Sequence, residues 1–487
     1  MTDNSLKSRT VKGAFWSAID AFLGKGVTFI VGIVLARILT PEEYGLIGIV
    51  SIFIVVLSGF VSCGFFTALI RKKEVSNDDY NTMFITNLVL SILLFSLLYI
   101  IAPYISVFFD RPSLTAIARV MGALLIIQAL SITQVTILTK RIDFKTKTKA
   151  SVVSGLLSGV LGIIMAYRGF GVWSLVGQQL SQQTIFTICL WFLNKWWPSL
   201  QFSISSFKYM WGFGWKMVLS SLLNNIWDQL YQVVVGKYYS PSTLGQYSRA
   251  NEYATLFSSN FILIIQRVSL PALAEVQDDE KRLLSAYRKI IKLAMFVTVV
   301  TLFSLGAVSE PFIFCLLGPK WSEAASYLPL ICISMSLYPL HVINLNMLQI
   351  QGRSDIFLIL EIIKKIIAIG PVCLGIFIGI YWMLLGGIVV GIISFFLNSY
   401  YTGKKLNYSS WSQLKDVMPS YLLGIIIAFS VFFLKYLPLS YWFVLPIQLI
   451  VGLCIFIMIC RIGKFKEYDE ILDLRKQLCG SFRLGSY

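Results

Sequence analysis

Ile85-Thr86-Asn87-Leu88-Val89-Leu90-Ser91-Ile92-Leu93-Leu94-Phe95-Ser96-Leu97-Leu98-Tyr99-Ile100-Ile101 carries no charge and shows no two-residue alternation. That pattern sets the fold class. A strand of a transmembrane barrel would alternate apolar and polar residues over about ten positions. A helix, by contrast, satisfies its own backbone N–H and C=O groups inside hydrocarbon, and about 20 residues of it cross a core of about 30 Å. Comparable runs follow one another almost from end to end. They predict spans over 14–37, 44–70, 82–105, 115–139, 151–168, 171–194, 211–236, 248–270, 291–317, 326–351, 356–380, 382–402, 418–437 and 440–461. Composition agrees, with 57% hydrophobic and 13% charged residues and a mean hydropathy of +0.76. The expectation is an all-α membrane protein of about 14 transmembrane helices, with no intervening segment long enough for a soluble domain.

The formal charge of +17 would suggest nucleic acid for a soluble chain. Topology explains it here. If the N-terminus is cytoplasmic, the tails and even-numbered loops hold 28 of the 41 Lys and Arg residues, against 7 on the opposite side. Such asymmetry orients both termini toward the cytoplasm. No nucleic-acid partner is then needed.

One internal echo stands out. Arg37-Ile38-Leu39-Thr40-Pro41-Glu42-Glu43-Tyr44-Gly45 closes the first span, and Lys237-Tyr238-Tyr239-Ser240-Pro241-Ser242-Thr243-Leu244-Gly245 closes the seventh. A cation, a hydroxyl residue, Pro and Gly recur in register at an offset of 200. The hydroxyl residue suits a helix cap, and Pro suits the first helical position, where its missing N–H costs nothing. Since spans one and seven run in the same direction, the echo predicts two six-helix lobes in parallel pseudo-repeat. The corresponding domains are 1–200, 201–405, an extra helix pair over 406–463, and an amphipathic tail over 464–487. The tail spaces Phe465, Tyr468, Ile471, Leu474 and Leu478 helically among cations, which suits a helix lying on an anionic leaflet.

Ionised side chains within apolar spans are costly and tend to face a bundle interior or a water-filled cavity. Lys25, flanked by glycines, falls mid-span; Asp20 lies about one and a half turns earlier on another face. Span seven carries Lys216, Asn224, Asn225 and Asp228. For Lys25 and Asp228, a cavity position and an internal ion pair both remain open. In span eleven, Glu361 and Lys365 have the favourable i,i+4 order, leaving Lys364 as the cavity candidate. Arg37, Lys237 and Arg249 stand near outer span ends, where long side chains also snorkel. His341, the only histidine, reads first as a packing residue and second as a proton carrier.

Other chemistries lack their residues. There is no phosphate-binding loop ending in Gly-Lys-Ser/Thr. One histidine and eight scattered cysteines supply neither a metal cluster nor a nucleophilic triad. No cofactor is called for.

Arg37 to Gly45, Arg168-Gly-Phe-Gly-Val-Trp-Ser-Leu-Val176, Tyr247-Ser-Arg-Ala250, Gln266-Arg-Val-Ser-Leu-Pro-Ala-Leu273 and Leu317-Gly-Pro-Lys-Trp321 together resemble the Wzx-type polysaccharide exporters. The resemblance runs from about residue 10 to 400 and is nearest to the colanic-acid-exporter-like subgroup. The superfamily also contains multidrug/toxin extruders and lipid II flippases. The resemblance implies lobes around a central cationic cavity, alternating access, and an undecaprenyl-pyrophosphate-linked oligosaccharide turned from the inner to the outer leaflet of a bacterial inner membrane. Lys25, Arg37, Lys216, Lys237, Arg249 and Lys364 are the candidate cations, and Asp20 and Asp228 the candidates for coupling to a proton or sodium gradient. Membrane lipids surround the chain, and a glycan polymerase and chain-length regulator are possible partners. A multidrug/toxin cation antiporter and a glycan polymerase are the alternatives. The antiporter would want acidic residues where these cations stand.

Overall fold

The computed structural model describes residues 24–276, 278–350 and 353–473. Among them every regular element is helical. By contact the chain separates into two compact units, which meet in sequence between Gly245 and Gln246.

The first unit contains α1 (Lys25–Ile38), α2 (Pro41–Arg71), α3 (Asn77–Phe108), α4 (Ser113–Lys140), α5 (Phe144–Tyr167), α6 (Val172–Asn194) and α7 (Ile204–Tyr238), and ends within the first turns of α8 (Pro241–Glu275). The capping read from the echo is present at both places. The Thr40 hydroxyl accepts from the Glu43 N–H at 3.4 Å, and the Glu43 carboxylate accepts from the Thr40 N–H at 2.6 Å. Ser240 likewise accepts from the Thr243 N–H at 3.1 Å. Two N–H groups that the helix cannot bond internally are thus satisfied at α2.

Within this unit α2 packs against α3, α4, α6 and α7. Its approach to α7 is made by small residues: a β-carbon on Gly64 would sit 2.9 Å from the Gly214 carbonyl oxygen. In lipid, where burial against a tail and burial against a helix are similar, such close backbone packing holds helices together. At one end of the bundle Lys140 donates to the Leu69 and Ile70 carbonyls at 3.2 and 3.0 Å and also reaches Lys72. The last residue of α4 thus caps the C-terminus of α2 and meets its dipole.

The second unit takes up the rest of α8 and then α9 (Glu280–Ala307), α10 (Ser309–Leu316), α11 (Ser322–Ser336), α12 (Tyr338–Ile350), α13 (Ser354–Ile367), α14 (Ile369–Phe377), α15 (Ile380–Leu406), α16 (Ser410–Phe432) and α17 (Tyr441–Ile462). A further helical segment, α18, covers 466–473. The expected single spans nine, ten and eleven are each broken, at Val308, Leu337 and Ala368. Each break precedes a proline by two or three residues, at Pro311, Pro339 and Pro371. Proline removes one helical hydrogen bond and its ring crowds the carbonyl four residues earlier, so the turn before it gives way.

Among the described residues, nine helical stretches are long and apolar enough to cross a membrane. The expectation of about 14 includes five further spans that are shorter, interrupted or more polar: those on α1, α6, α7, α8 and the α13–α14 pair.

In the described part of the tail, Phe465, Tyr468 and Ile471 pack on a cluster built from Phe296, Leu423, Ile427, Val431 and Cys460. The Phe465 ring centre lies 5.9 Å from that of Phe296, and Tyr468 lies 5.7 Å from Phe456. Burial against protein offers these aromatics closer contact than a mobile acyl chain would. Leu474 and Leu478 lie outside the described residues.

Candidate functional site

α7 is the element on which the sequence-derived candidates converge. Lys216, Asn224 and Asp228 recur at multiples of four residues, so they climb one side of the helix, spanning about 18 Å along its axis. All three are exposed. The adjoining exposed arc is apolar, bearing Trp215, Leu219, Leu223 and Ile226. The buried face meets α2 through Gly214. One helix therefore presents three strips: a packed one, a greasy one and a polar one. Hydrocarbon tolerates the second and not the third, so the polar strip is the part suited to a water-filled space.

Lys216 has no carboxylate within ion-pair distance among the described residues. Its nearest ring is that of its neighbour Trp215, with the ammonium 6.0 Å from the centroid. Asn224 and Asp228 are both engaged by other groups. A lysine ammonium so placed is a point charge with three donors, able to meet phosphate oxygens from several directions.

The remaining candidates are dispersed. Asp20 lies outside the described residues, and Lys25 opens α1 with its side chain likewise outside them. Arg37 is exposed in the last turn of α1, where a cation complements the helix dipole. Lys237 donates to the Phe108 carbonyl at 2.5 Å and pairs with Asp110 at 3.1 Å, which closes the C-terminal end of α3. Arg249 pairs with Glu252 at 2.6 Å, three residues along α8. Lys364 is not left over as the spacing suggests. It pairs with Glu361 at i,i+3, since one turn of helix brings that position as close as i,i+4.

Two polar seams escaped the reading of charges. In the first unit, Gln183 donates to Ser131 at 3.1 Å, Ser58 to Gln128 at 2.8 Å, and Asn194 to Gln134 at 2.6 Å, tying α4 to α2 and α6. In the second, Asn344 lies fully buried. Its amide oxygen accepts from Tyr287 at 2.8 Å and Thr402 at 2.5 Å, while its NH2 donates to Gln413 at 3.1 Å and to the Leu340 carbonyl at 2.8 Å. The usable signal was the presence of amides inside apolar runs, which in lipid must find partners across helices. His341, one turn before Asn344, is part-buried, and its Nδ1 has no hydrogen-bond partner among the described residues.

Several familiar-looking motifs turn out to shape turns. Gly169 and Gly171 adopt positive φ values of 79° and 55° between α5 and α6, and Gly318 adopts 93° before the buried Trp321. Only glycine enters that region without steric cost. Outside the spans, exposed Arg353 chelates Asp355 at 3.0–3.1 Å, and that guanidinium holds the carboxyl below its ordinary range. No group of three or more potential metal ligands occurs among the described residues.

Fold and site together define a multi-pass membrane protein whose polar strip runs along one of its helices. Residues 34–326 match the family described as "Polysaccharide biosynthesis protein", and the chain belongs to that family. It is 23% identical over 372 residues to the succinoglycan biosynthesis transport protein ExoT of Rhizobium meliloti (strain 1021), covering 76% of this chain and 75% of the relative. It is also 23% identical over 439 residues to the lipopolysaccharide biosynthesis protein WzxC of Escherichia coli (strain K12), covering 87% and 89% of the two chains. In fold it matches the lipid II flippase MurJ in an inward closed conformation, with a TM-score of 0.72, 15% identity, and coverage of 95% of this chain and 100% of that one.

Proposed function

We propose that this protein is a lipid-linked oligosaccharide flippase, carrying undecaprenyl-pyrophosphate-linked glycan repeat units from the inner to the outer leaflet of a bacterial inner membrane by alternating access. The observation that carries this reading is Lys216, an exposed cation without a carboxylate partner among the described residues, on the polar strip of α7. A pyrophosphate cannot cross hydrocarbon unaided, and a fixed positive charge in a low-dielectric, water-lined space lowers that barrier. The relatives' names, which speak of polysaccharide transport and biosynthesis, support the same cargo class.

Both termini are placed in the cytoplasm in this reading, on the distribution of loop cations. Its lobes are residues 1–200 and 201–405, with 406–463 as an added pair. Lys25 and Arg37 are further candidate cations for the headgroup, Arg37 being itself engaged by another group. Lys237, Arg249 and Lys364 would have to release a carboxylate first, and so contribute less. Asp20 and Asp228 are the candidates for coupling to a proton or sodium gradient. Partner polymerases and chain-length regulators would consume the product on the outer side.

The test is a strain lacking the gene, complemented with wild type or with Lys216→Ala. Loss of surface glycan with lipid-linked repeat units accumulating in the inner leaflet is the expected result. Short surface glycan with normal translocation would replace the proposal with a polymerase, and drug sensitivity with intact glycan would replace it with an antiporter.

A further inference from the structure

A second cationic feature belongs to the second unit, in the N-terminal part of α9. Lys281, Arg288, Lys289 and Lys292 line a cleft of about 400 Å³, closed on its other side by Lys466 of α18. Two carboxylates, Glu467 and Glu470, share the lining. A third, Asp416, lies behind it, held by Arg288 at 2.7 Å, Lys292 at 3.1 Å and the Tyr408 hydroxyl at 2.7 Å. Even with Asp416 counted, two positive charges remain in surplus. Lys281 and Lys466 have no carboxylate within ion-pair distance among the described residues.

The walls of the cleft are built. α18 is anchored by Phe465, Tyr468 and Ile471 on the hydrophobic cluster, and Glu470 reaches Lys289 at 3.0 Å. Its depth is also defined. Lys292 is the last charged residue of α9; from Leu293 to Ala307 the helix carries none. The cleft therefore opens where the apolar crossing begins, at the level of lipid headgroups.

From this geometry we infer that the cleft binds the phosphoryl headgroup of an anionic phospholipid in the adjoining leaflet, and that the headgroup ties α18 to α9. With the termini cytoplasmic, as proposed above, that leaflet is the inner one, whose anionic lipids attract juxtamembrane cations. The inference is independent of the cargo: it needs neither Lys216 nor a flippase activity. Arginine and lysine meet phosphate oxygens through charge-assisted hydrogen bonds, and Lys281 and Lys466 can do so without surrendering an ion pair.

The experiment uses the full-length protein in mixed micelles of phosphatidylglycerol and phosphatidylcholine, read by native mass spectrometry. Wild type is expected to retain phosphatidylglycerol preferentially. Lys281→Gln with Lys466→Gln is expected to weaken that retention roughly thirtyfold, from two cations near the surface, with helical content unchanged. Equal retention of the two lipids by wild type overturns the inference without reference to any variant, as does full preference in the folded double variant. Retention of inorganic phosphate without lipid preference would overturn the lipid as occupant. Failure of glycan export in the same double variant is not a readout here, so the two proposals stand or fall separately.

Discussion

Gly45 lies against the carbonyl of Pro241 with no room for a β-carbon between them. The relation is reciprocal: Gly245, 200 positions later, lies in the same way against the carbonyl of Pro41. The two copies of the sequence echo are thus in backbone contact with each other, first turn against first turn. Glycine at both positions is what lets the backbones approach.

Gly45→Val tests that contact. Nothing flexible lies opposite, since the obstacle is main chain. Overpacking of about 1–3 kcal/mol is expected, read as a lower midpoint for thermal unfolding in detergent and as reduced export. A midpoint equal to wild type would show that the two helix ends do not meet in the folded protein.

Lys216→Ala removes the cation of the polar strip and breaks no ion pair among the described residues. Stability should therefore hold, while export falls about 10- to 100-fold, the worth of one hydrogen bond to a charged group. Lys216→Arg should restore much of the rate. Normal glycan levels in the alanine variant would take Lys216 off the substrate path.

Lys237→Ala should behave in the opposite way. Its ammonium closes the end of α3 through Phe108 and Asp110, and Asp110 is 81% exposed, so solvent screens the pair. A stability loss of at most about 1 kcal/mol is expected from the helix-end interaction, with export per folded molecule unchanged. A selective export defect at full stability would return Lys237 to the binding site.

Asn344→Leu takes their shared partner from Tyr287 and Gln413, while Thr402 keeps the Asn398 carbonyl at 3.1 Å. Leaving such buried groups unsatisfied costs about 1–3 kcal/mol each before relaxation, so a large drop in unfolding midpoint is the expected outcome. Tolerance of leucine there would mean the network is open to water.

Much of the architecture was legible from local chemistry. Apolar runs such as Ile85–Ile101 permit only helices in lipid, and Thr40-Pro41 and Ser240-Pro241 announce helix starts through a hydroxyl and a ring. The breaks at Val308, Leu337 and Ala368 precede Pro311, Pro339 and Pro371, but Pro103, Pro329, Pro419 and Pro446 lie inside unbroken helices, so proline alone could not locate them. The turn glycines 169, 171 and 318 were noticed as motif residues, though their backbone role needed φ values.

By itself, then, the chain's order of residues determined a helical membrane protein and the echo at 200 residues, because those depend on neighbours within a few turns. Which cations keep a free charge was decided only in three dimensions. Lys237 meets Asp110 across 127 residues and Arg288 meets Asp416 across 128, whereas Lys216 and Lys281 meet no acid among the described residues. Electrostatic energy falls with distance in space, and distance in space is set by how remote helices pack.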